Sequence, residues 1–315
     1  MSRWIGLIGV PSIAGAHWPG QEKAPRVIAG LVERLRAAGM TVIDHCDMPC
    51  PRWYPDREHR RPHNLAAVVE VARGAADLVE AALQDSETPL VIGGDRTIEL
   101  GVLSGFLRRN VDVGLLYFDG GVDLRTPLDN PTGILDSMGV AYILGEPGSA
   151  EEFARIGPRF PLMPAEKLVL FGYSRNEPEV EVLSRRSMPR YPVGRVREGS
   201  GKAAAETVAY LEEVAGRFVV HFDVDVIDFV DMPVADVLQH NAGLTFREAL
   251  ACLGVFASSP KCAGLVITEL NPDHADEAGE TVTVFVQGLV DAVTASKARS
   301  FGPGDLATPE YLEGA

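Results

Sequence analysis

Cysteines and long apolar segments are both scarce in this sequence. Only four cysteines occur in 315 residues, and they form neither a CxxC pair nor the dense spacing of a disulfide-rich domain. No apolar run reaches the roughly 18 residues that a membrane helix needs. The first residues also lack the basic segment and apolar stretch of a signal peptide. We therefore predict a cytoplasmic protein that contacts no membrane.

Basic residues are also few. The chain has 29 Lys and Arg against 44 Asp and Glu, which gives a formal net charge of −15. An acidic protein is repelled by nucleic acids and anionic lipids, so we expect neither as a partner. The charge suits a small cationic molecule, although an acidic surface that only maintains solubility explains it more simply.

The sequence is rich in short apolar, β-branched segments that alternate with helical periodicity. Strands that are apolar at nearly every residue are typical of a sheet covered on both faces. Their alternation with helices predicts a three-layer α/β/α fold with a mostly parallel central sheet, in a single domain of residues 1–315. The predicted strands are residues 4–10, 41–44, 90–93, 113–119, 168–173, 218–226 and 265–270, the helices residues 24–38, 65–83, 97–108, 203–215, 246–256 and 281–298, and the main loops residues 46–63, 126–134, 173–201 and 229–243.

Acidic residues follow four of the predicted strands. In a parallel sheet such strand ends lie at one edge, where ligands bind. Buried carboxylates repel one another, and they persist together only with a metal ion, an arginine or shared protons. The segments are GGDRT at residues 93–97, FDGGVD at residues 118–123, HFDVDVID at residues 221–228 and TELNP at residues 268–272.

In this order the four segments resemble the signature of the arginase–agmatinase (ureohydrolase) superfamily, which runs GGDHS, DAHxD, SxDxDxxD and ExNP. Residues 9–11, 20–25, 132–139 and 243–245 are also similar to that family, so the resemblance covers nearly the whole chain. It implies an arginase-like fold and a homo-oligomer, either a trimer or a hexamer. It also implies a centre in which two manganese ions share carboxylates and promote attack on a guanidinium carbon.

The resemblance retains the carboxylates of that centre but not its two histidines. Arg96 stands where one histidine is expected, and Gly121 stands where the other is expected. Arginine has a fixed positive charge and no lone pair for a metal, and glycine has no side chain. We therefore expect no metal cofactor, with manganese binding lost or weak and only Mg²⁺ or Ca²⁺ as an alternative. The retained carboxylate ligands are Asp119, Asp123, Asp223 and Asp225.

The remaining candidates are assigned by position. Asp136 is nearest to the family's proton-shuttling histidine, and Glu269 matches the glutamate that contacts the substrate guanidinium. His221 shares a strand face with Asp223, and we interpret it as a buried histidine rather than a replacement ligand. The predicted catalytic residues are Asp136, Glu269, His240 and Asp225, and the predicted substrate-binding residues are Asp119, Asp123, Asp223, Arg96 and Asn130.

Three hypotheses of function follow, and the sequence leaves open whether the chain is an enzyme. We favour a metal-independent enzyme, distinct from standard arginases and agmatinases, that acts on a small amine or guanidino metabolite through carboxyl acid–base chemistry. The second hypothesis is a non-catalytic protein with a binding, regulatory or assembly role, in which Arg96 fills the metal centre. The third is a metal-dependent C–N (amidino) hydrolase with an unusual ligand set.

Overall fold

The computed structural model describes residues 4–16, 18–28, 30–59, 61–174, 183, 187–236 and 240–295. The strands are β1 (Trp4–Val10), β2 (Thr41–Asp47), β3 (Thr88–Gly93), β4 (Val113–Phe118), β5 (Leu168–Phe171), β6 (Arg190–Tyr191), β7 (Arg217–Asp223) and β8 (Cys262–Thr268). The α-helices of the described residues are α1 (Ala24–Val27), α2 (Gly30–Ala37), α3 (Leu65–Gln84), α4 (Glu99–Arg108), α5 (Gly139–Leu144), α6 (Glu151–Ala154), α7 (Val193–Arg197), α8 (Ser200–Val214), α9 (Phe246–Ser258) and α10 (Glu280–Thr294).

The eight strands of the described residues form one sheet in the order β2-β1-β3-β8-β7-β4-β5-β6. Every neighbouring pair is parallel, so all strands end at the same edge. The four strands that precede the acidic segments are β3, β8, β7 and β4, and they are consecutive at the middle of the sheet. The sheet order therefore brings the four segments together.

Helices cover both faces of the sheet. Side chains alternate between the faces, so that Leu90 and Ile92 enter one apolar cluster while Val91 enters the other. Helices α2, α8, α9 and α10 pack on the first face, and α3, α4, α5 and α6 pack on the second. The predicted three-layer α/β/α fold is confirmed.

Several predicted elements begin or end a few residues away from their bounds in the structure. The predicted strand at residues 218–226 ends at Asp223, because the Asp223 side chain accepts a hydrogen bond from the Asp225 backbone and begins the 3₁₀ turn Val224–Val226. The predicted helix at residues 24–38 is divided into α1 and α2.

The predicted loop at residues 173–201 is wrong in part, because β6 and α7 lie within it. Residues 175–182 and 184–186 of that loop lie outside the described residues.

No helix of the described segments is long and apolar enough to cross a membrane. That residues 1–315 form one domain stays a prediction.

Candidate metal and substrate centre

Two neighbouring strands bring the first pair of aspartates together. The last registered pair of β4 and β7 is Phe118 with Phe222, so that Asp119 and Asp223 leave the sheet side by side. Asp223 accepts hydrogen bonds from the Asp225 backbone at 2.9 Å and from Oγ1 of Thr268, on β8, at 3.2 Å. These bonds fix the Asp223 carboxylate at the carboxyl edge of the sheet.

The Arg96 guanidinium lies among the carboxylates of the four segments and is only 2% exposed. Its Nη1 donates to Asp119 Oδ2 at 3.1 Å and to Asp123 Oδ2 at 3.0 Å. Nη2 donates to Asp225 Oδ2 at 3.4 Å. Three further carboxylates lie 3.3–3.7 Å from Nε, those of Asp136, Asp223 and Glu269.

One guanidinium does not neutralise six buried carboxylates. Burial raises the pKa of Asp223 and of Glu269 well above the ordinary range, although the Arg96 guanidinium opposes the shift. Burial likewise raises the pKa of Asp136 to about 7. Burial also favours the neutral form of Asp119, but there Arg96, His221 and the Gly121 backbone together outweigh burial and lower the pKa. The centre therefore has capacity for further positive charge.

His221 adds an imidazole to this centre from the same strand face as Asp223. Its ring stacks on Tyr117 of β4, with centroids 4.4 Å apart and planes 3° apart. Its Nδ1 lies 3.0 Å from Oε2 of Glu99, the first residue of α4. Its Nε2 is buried and has no hydrogen-bond partner among the described residues, and it lies 3.7 Å from Asp119 Oδ2 and 4.0 Å from Asp223 Oδ2. This nitrogen thus faces two carboxylate oxygens without bonding to either.

The same surroundings decide the charge of His221. Burial favours the neutral ring, but Asp119 and Glu99 outweigh burial and raise the pKa of His221 to about 10. At neutral pH both ring nitrogens are therefore protonated and the ring is cationic, unless a metal ion displaces the proton on Nε2.

The group formed by Asp119, His221 and Asp223 fits a divalent metal ion. Its ligand atoms all lie within 4.8 Å of one another. Two atoms bound to one ion at about 2.1 Å each lie at most about 4.2 Å apart, so only a small adjustment is needed. An imidazole beside two carboxylates suits Mn²⁺ or Zn²⁺ better than Ca²⁺.

Asp136 and Glu269, both predicted to be catalytic, also contact Arg96. Asp136 Oδ1 accepts a hydrogen bond from the Arg96 backbone at 3.1 Å. Glu269 has a positive φ of 66°, and its Oε2 accepts a hydrogen bond from Gln21 Nε2 at 2.5 Å. The structure therefore brings these two acids into the same buried group as the four aspartates.

Two other predicted site residues have different surroundings. Asn130 accepts a hydrogen bond from the Thr132 backbone at 2.9 Å and donates to Ser137 Oγ at 2.7 Å, so its amide organises its own loop. His240 is exposed and its ring packs against Phe229, with centroids 5.6 Å apart. Their functional roles stay predictions.

The sequence did not identify Glu99, Tyr117 or Gln21 as part of the centre. The signal for Glu99 is an acidic residue in the first turn of an otherwise apolar helix, and Tyr117 is a hydroxyl-bearing ring in a fully buried strand. Both were indistinguishable from ordinary core positions, because their partner His221 is more than 100 residues away in sequence.

The structure is a layered α/β protein. Its parallel sheet has a centre rich in carboxylates, with one histidine, at the carboxyl edge. A sequence model described as the Arginase family matches residues 3–294. The chain belongs to the arginase family.

The relatives agree with this assignment. The arginase of Bacillus caldovelox is 30% identical over 290 residues, which cover 90% of this chain and 95% of that protein. Human arginase-1 is 30% identical over 294 residues, covering 90% of this chain and 91% of that protein. A structure of the Bacillus subtilis arginase has a TM-score of 0.82 at 27% identity, covering 92% of this chain and 98% of that one. The resemblance and the arginase-like fold are both confirmed.

The expectation of no metal cofactor was wrong. It was based on the residues at positions 96 and 121 alone, neither of which offers a nitrogen donor. Two findings overturn it. The chain belongs to the arginase family, and the buried group of Asp119, His221 and Asp223 fits a metal ion. The physical reason is that His221, interpreted from sequence as a core histidine, leaves Nε2 unpartnered and directed at Asp119 and Asp223.

Proposed function

We propose that this member of the arginase family is a metal-dependent hydrolase that cleaves a C–N bond of a small guanidino or amidino compound. We further propose that it differs from standard arginases and agmatinases in its substrate. The observation that carries the proposal is that the buried carboxylates already surround a guanidinium group, the one of Arg96. A centre that holds one guanidinium is complementary in charge and hydrogen bonding to the cationic head of such a substrate.

The chain's acids have the properties that this reaction needs. Hydrolysis joins a water oxygen to the amidino carbon, breaks the C–N bond and moves a proton to the departing nitrogen. Glu269 and Asp225 would accept hydrogen bonds from the cationic nitrogens. Asp136, whose pKa burial raises to about 7, would pass the proton to the leaving group near neutral pH. A divalent ion at Asp119, His221 and Asp223 would supply Lewis-acid stabilisation.

Several features support a substrate other than arginine. The Arg96 side chain takes up space beside Glu269, with the two side chains 3.6 Å apart. The Asn130 amide forms its hydrogen bonds within its own loop, with Ser137 and Thr132. Residues 229–241 also differ in sequence from the PGTGTP segment that usually follows the DxD strand in this family.

A non-catalytic role is the second candidate, and one observation favours it. The Arg96 guanidinium is almost fully buried and contacts six carboxylates, as a side chain that fills the centre would. In that case the protein would bind a small cation, or another copy of a family member, without turnover.

A substrate screen tests the proposal. The protein, loaded with Mn²⁺, is incubated with arginine, agmatine and a series of shorter guanidines and amidines, and the released urea or ammonia is measured. We expect turnover of at least one compound other than arginine and agmatine, and its loss by at least about 100-fold in Glu269→Gln. Robust turnover of arginine would make the protein a standard arginase. Ligand binding without any turnover would favour the non-catalytic role.

A further inference from the structure

We propose that His221 is the nitrogen ligand of a one-ion centre with Asp119 and Asp223, that Glu99 orients it, and that Arg96 supplies the positive charge beside that ion. The assignment deepens the proposed function and rests on the same centre binding a divalent ion. His221 and Glu99 lie at neither of the two positions, 96 and 121, where the family resemblance places a metal-binding histidine.

Two contacts orient the His221 ring, one with Tyr117 and one with Glu99. The register of β4 and β7 pairs Tyr117 with His221, and the two rings stack at 4.4 Å. The Tyr117 hydroxyl donates to Asp123 Oδ2 at 2.6 Å, which prevents the stacked ring from turning away. His221 is therefore held with one nitrogen towards α4 and the other towards the oxygens of Asp119 and Asp223.

Glu99 determines which nitrogen is available. Its Oε2 lies 3.0 Å from His221 Nδ1, and both side chains are buried. Glu99 is the first residue of α4, and its carboxylate oxygen is placed to accept a hydrogen bond from the Nδ1–H group of His221. Metal-binding histidines usually donate their second N–H to a carboxylate in this way, which leaves the Nε2 lone pair for the ion. The unpartnered Nε2 is what that arrangement produces.

Arg96 contributes the remaining positive charge. Its Nη1 and Nη2 donate to Asp119, Asp123 and Asp225, and its Nε lies 3.3 Å from Asp223 Oδ2. His221 Nε2 faces the same oxygens of Asp119 and Asp223, so the ion and the guanidinium would share these two carboxylates. One divalent ion and one guanidinium together carry three positive charges among the six carboxylates around Arg96. A purely structural imidazolium, protonated on Nε2, is the competing explanation for the same geometry.

The test measures metal binding without substrate. Apo-protein is titrated with Mn²⁺ by calorimetry and electron paramagnetic resonance, and with Co²⁺ by visible absorption, for the parent and three variants. His221→Asn keeps an amide that can bond Glu99 but has no Nε2, and Glu99→Gln removes the carboxylate. His45→Asn is the matched control, because His45 forms a similar pair with Glu87 at 2.6 Å outside the centre. Circular dichroism in chelator establishes that each variant is folded, and His221→Gln replaces any His221→Asn protein that is not.

We expect one ion per chain in the parent and in His45→Asn. Affinity should fall by at least about 100-fold in His221→Asn and about 10–100-fold in Glu99→Gln, with a changed Co²⁺ spectrum in the first. Unchanged binding in His221→Asn, no binding by the parent, or two ions per chain in the parent would each overturn the assignment. Because no substrate is present, these outcomes are independent of the substrate screen. Turnover that survives His221→Asn would overturn the ligand set and leave the proposed function standing.

Discussion

Replacing Arg96 by alanine should make the protein markedly less stable in the absence of metal. The guanidinium is 2% exposed and lies within 4.0 Å of six carboxylates, four of which are fully buried: Asp119, Asp223, Asp225 and Glu269. Its removal leaves these acids without their main counter-charge. Breaking a buried ion pair from one side typically costs about 3–5 kcal/mol of unfolding free energy.

Protonation limits that cost. The carboxyls of Asp223, Glu269 and Asp136 already have raised pKa values, and without Arg96 they rise further and take up protons. Each pKa unit corresponds to about 1.4 kcal/mol, so the loss should be larger at pH 8 than at pH 5. Divalent ions should recover part of it, because they restore positive charge to the same carboxylates.

The assay is urea unfolding of the parent and Arg96→Ala at both pH values, with chelator and with Mn²⁺. Arg195→Ala is the control, because Arg195 pairs with Glu206 at 2.9 Å on the surface and should contribute about 1 kcal/mol or less. If Arg96→Ala does not fold, Arg96→Lys is measured in its place. Lysine retains the charge but not the paired hydrogen bonds, so the loss of unfolding free energy should be intermediate. An Arg96→Ala protein within about 1 kcal/mol of the parent at pH 8 in chelator would refute the reasoning.

Three further predictions concern the same centre. Burial raises the pKa of Asp136 to about 7 in the folded protein, against about 4 in the unfolded chain, so its contribution to stability is complete below about pH 4 and is lost as the pH rises through 7. Asp136→Asn should therefore flatten the fall in unfolding free energy between about pH 4 and about pH 7, measured by urea unfolding in chelator. The double variant Arg96→His with Gly121→His should bind two Mn²⁺ per chain by calorimetry, since both nitrogen donors return to the carboxylate cluster; an unchanged stoichiometry would count against it. Urea release from arginine or agmatine by the Mn²⁺-loaded parent should be negligible in a colorimetric assay, and rapid release would contradict the altered substrate.

Much of the fold could be predicted from sequence because apolar strands and amphipathic helices are local patterns. The seven strands that were predicted all appear, and the four that precede the acidic segments are consecutive at the middle of the sheet. The two-residue β6 was missed because so short a strand has no periodicity. The end of β7 was placed three residues too late, because the turn at Asp223 depends on a side-chain hydrogen bond and not on apolar pattern.

The composition of the centre was harder to predict than its position. Arg96 could be expected to reach the aspartates, since its place in the GGDRT segment puts it beside them. The replacement of a lost ligand by His221 was considered and set aside, because the proposed role depends on Glu99, which is distant in sequence and adjacent only after the sheet has formed. The expectation of no metal failed for that reason.

The account is tested most directly by locating the ion. Crystals grown with Mn²⁺ are measured with X-rays at the manganese absorption edge, and the anomalous difference map is examined around His221. We predict one peak per chain, about 2.0–2.3 Å from Nε2 of His221 and in contact with Asp119 and Asp223. A peak between Asp123 and Asp225 with His221 uninvolved, or no peak at a Mn²⁺ concentration that saturates binding in solution, would contradict the account.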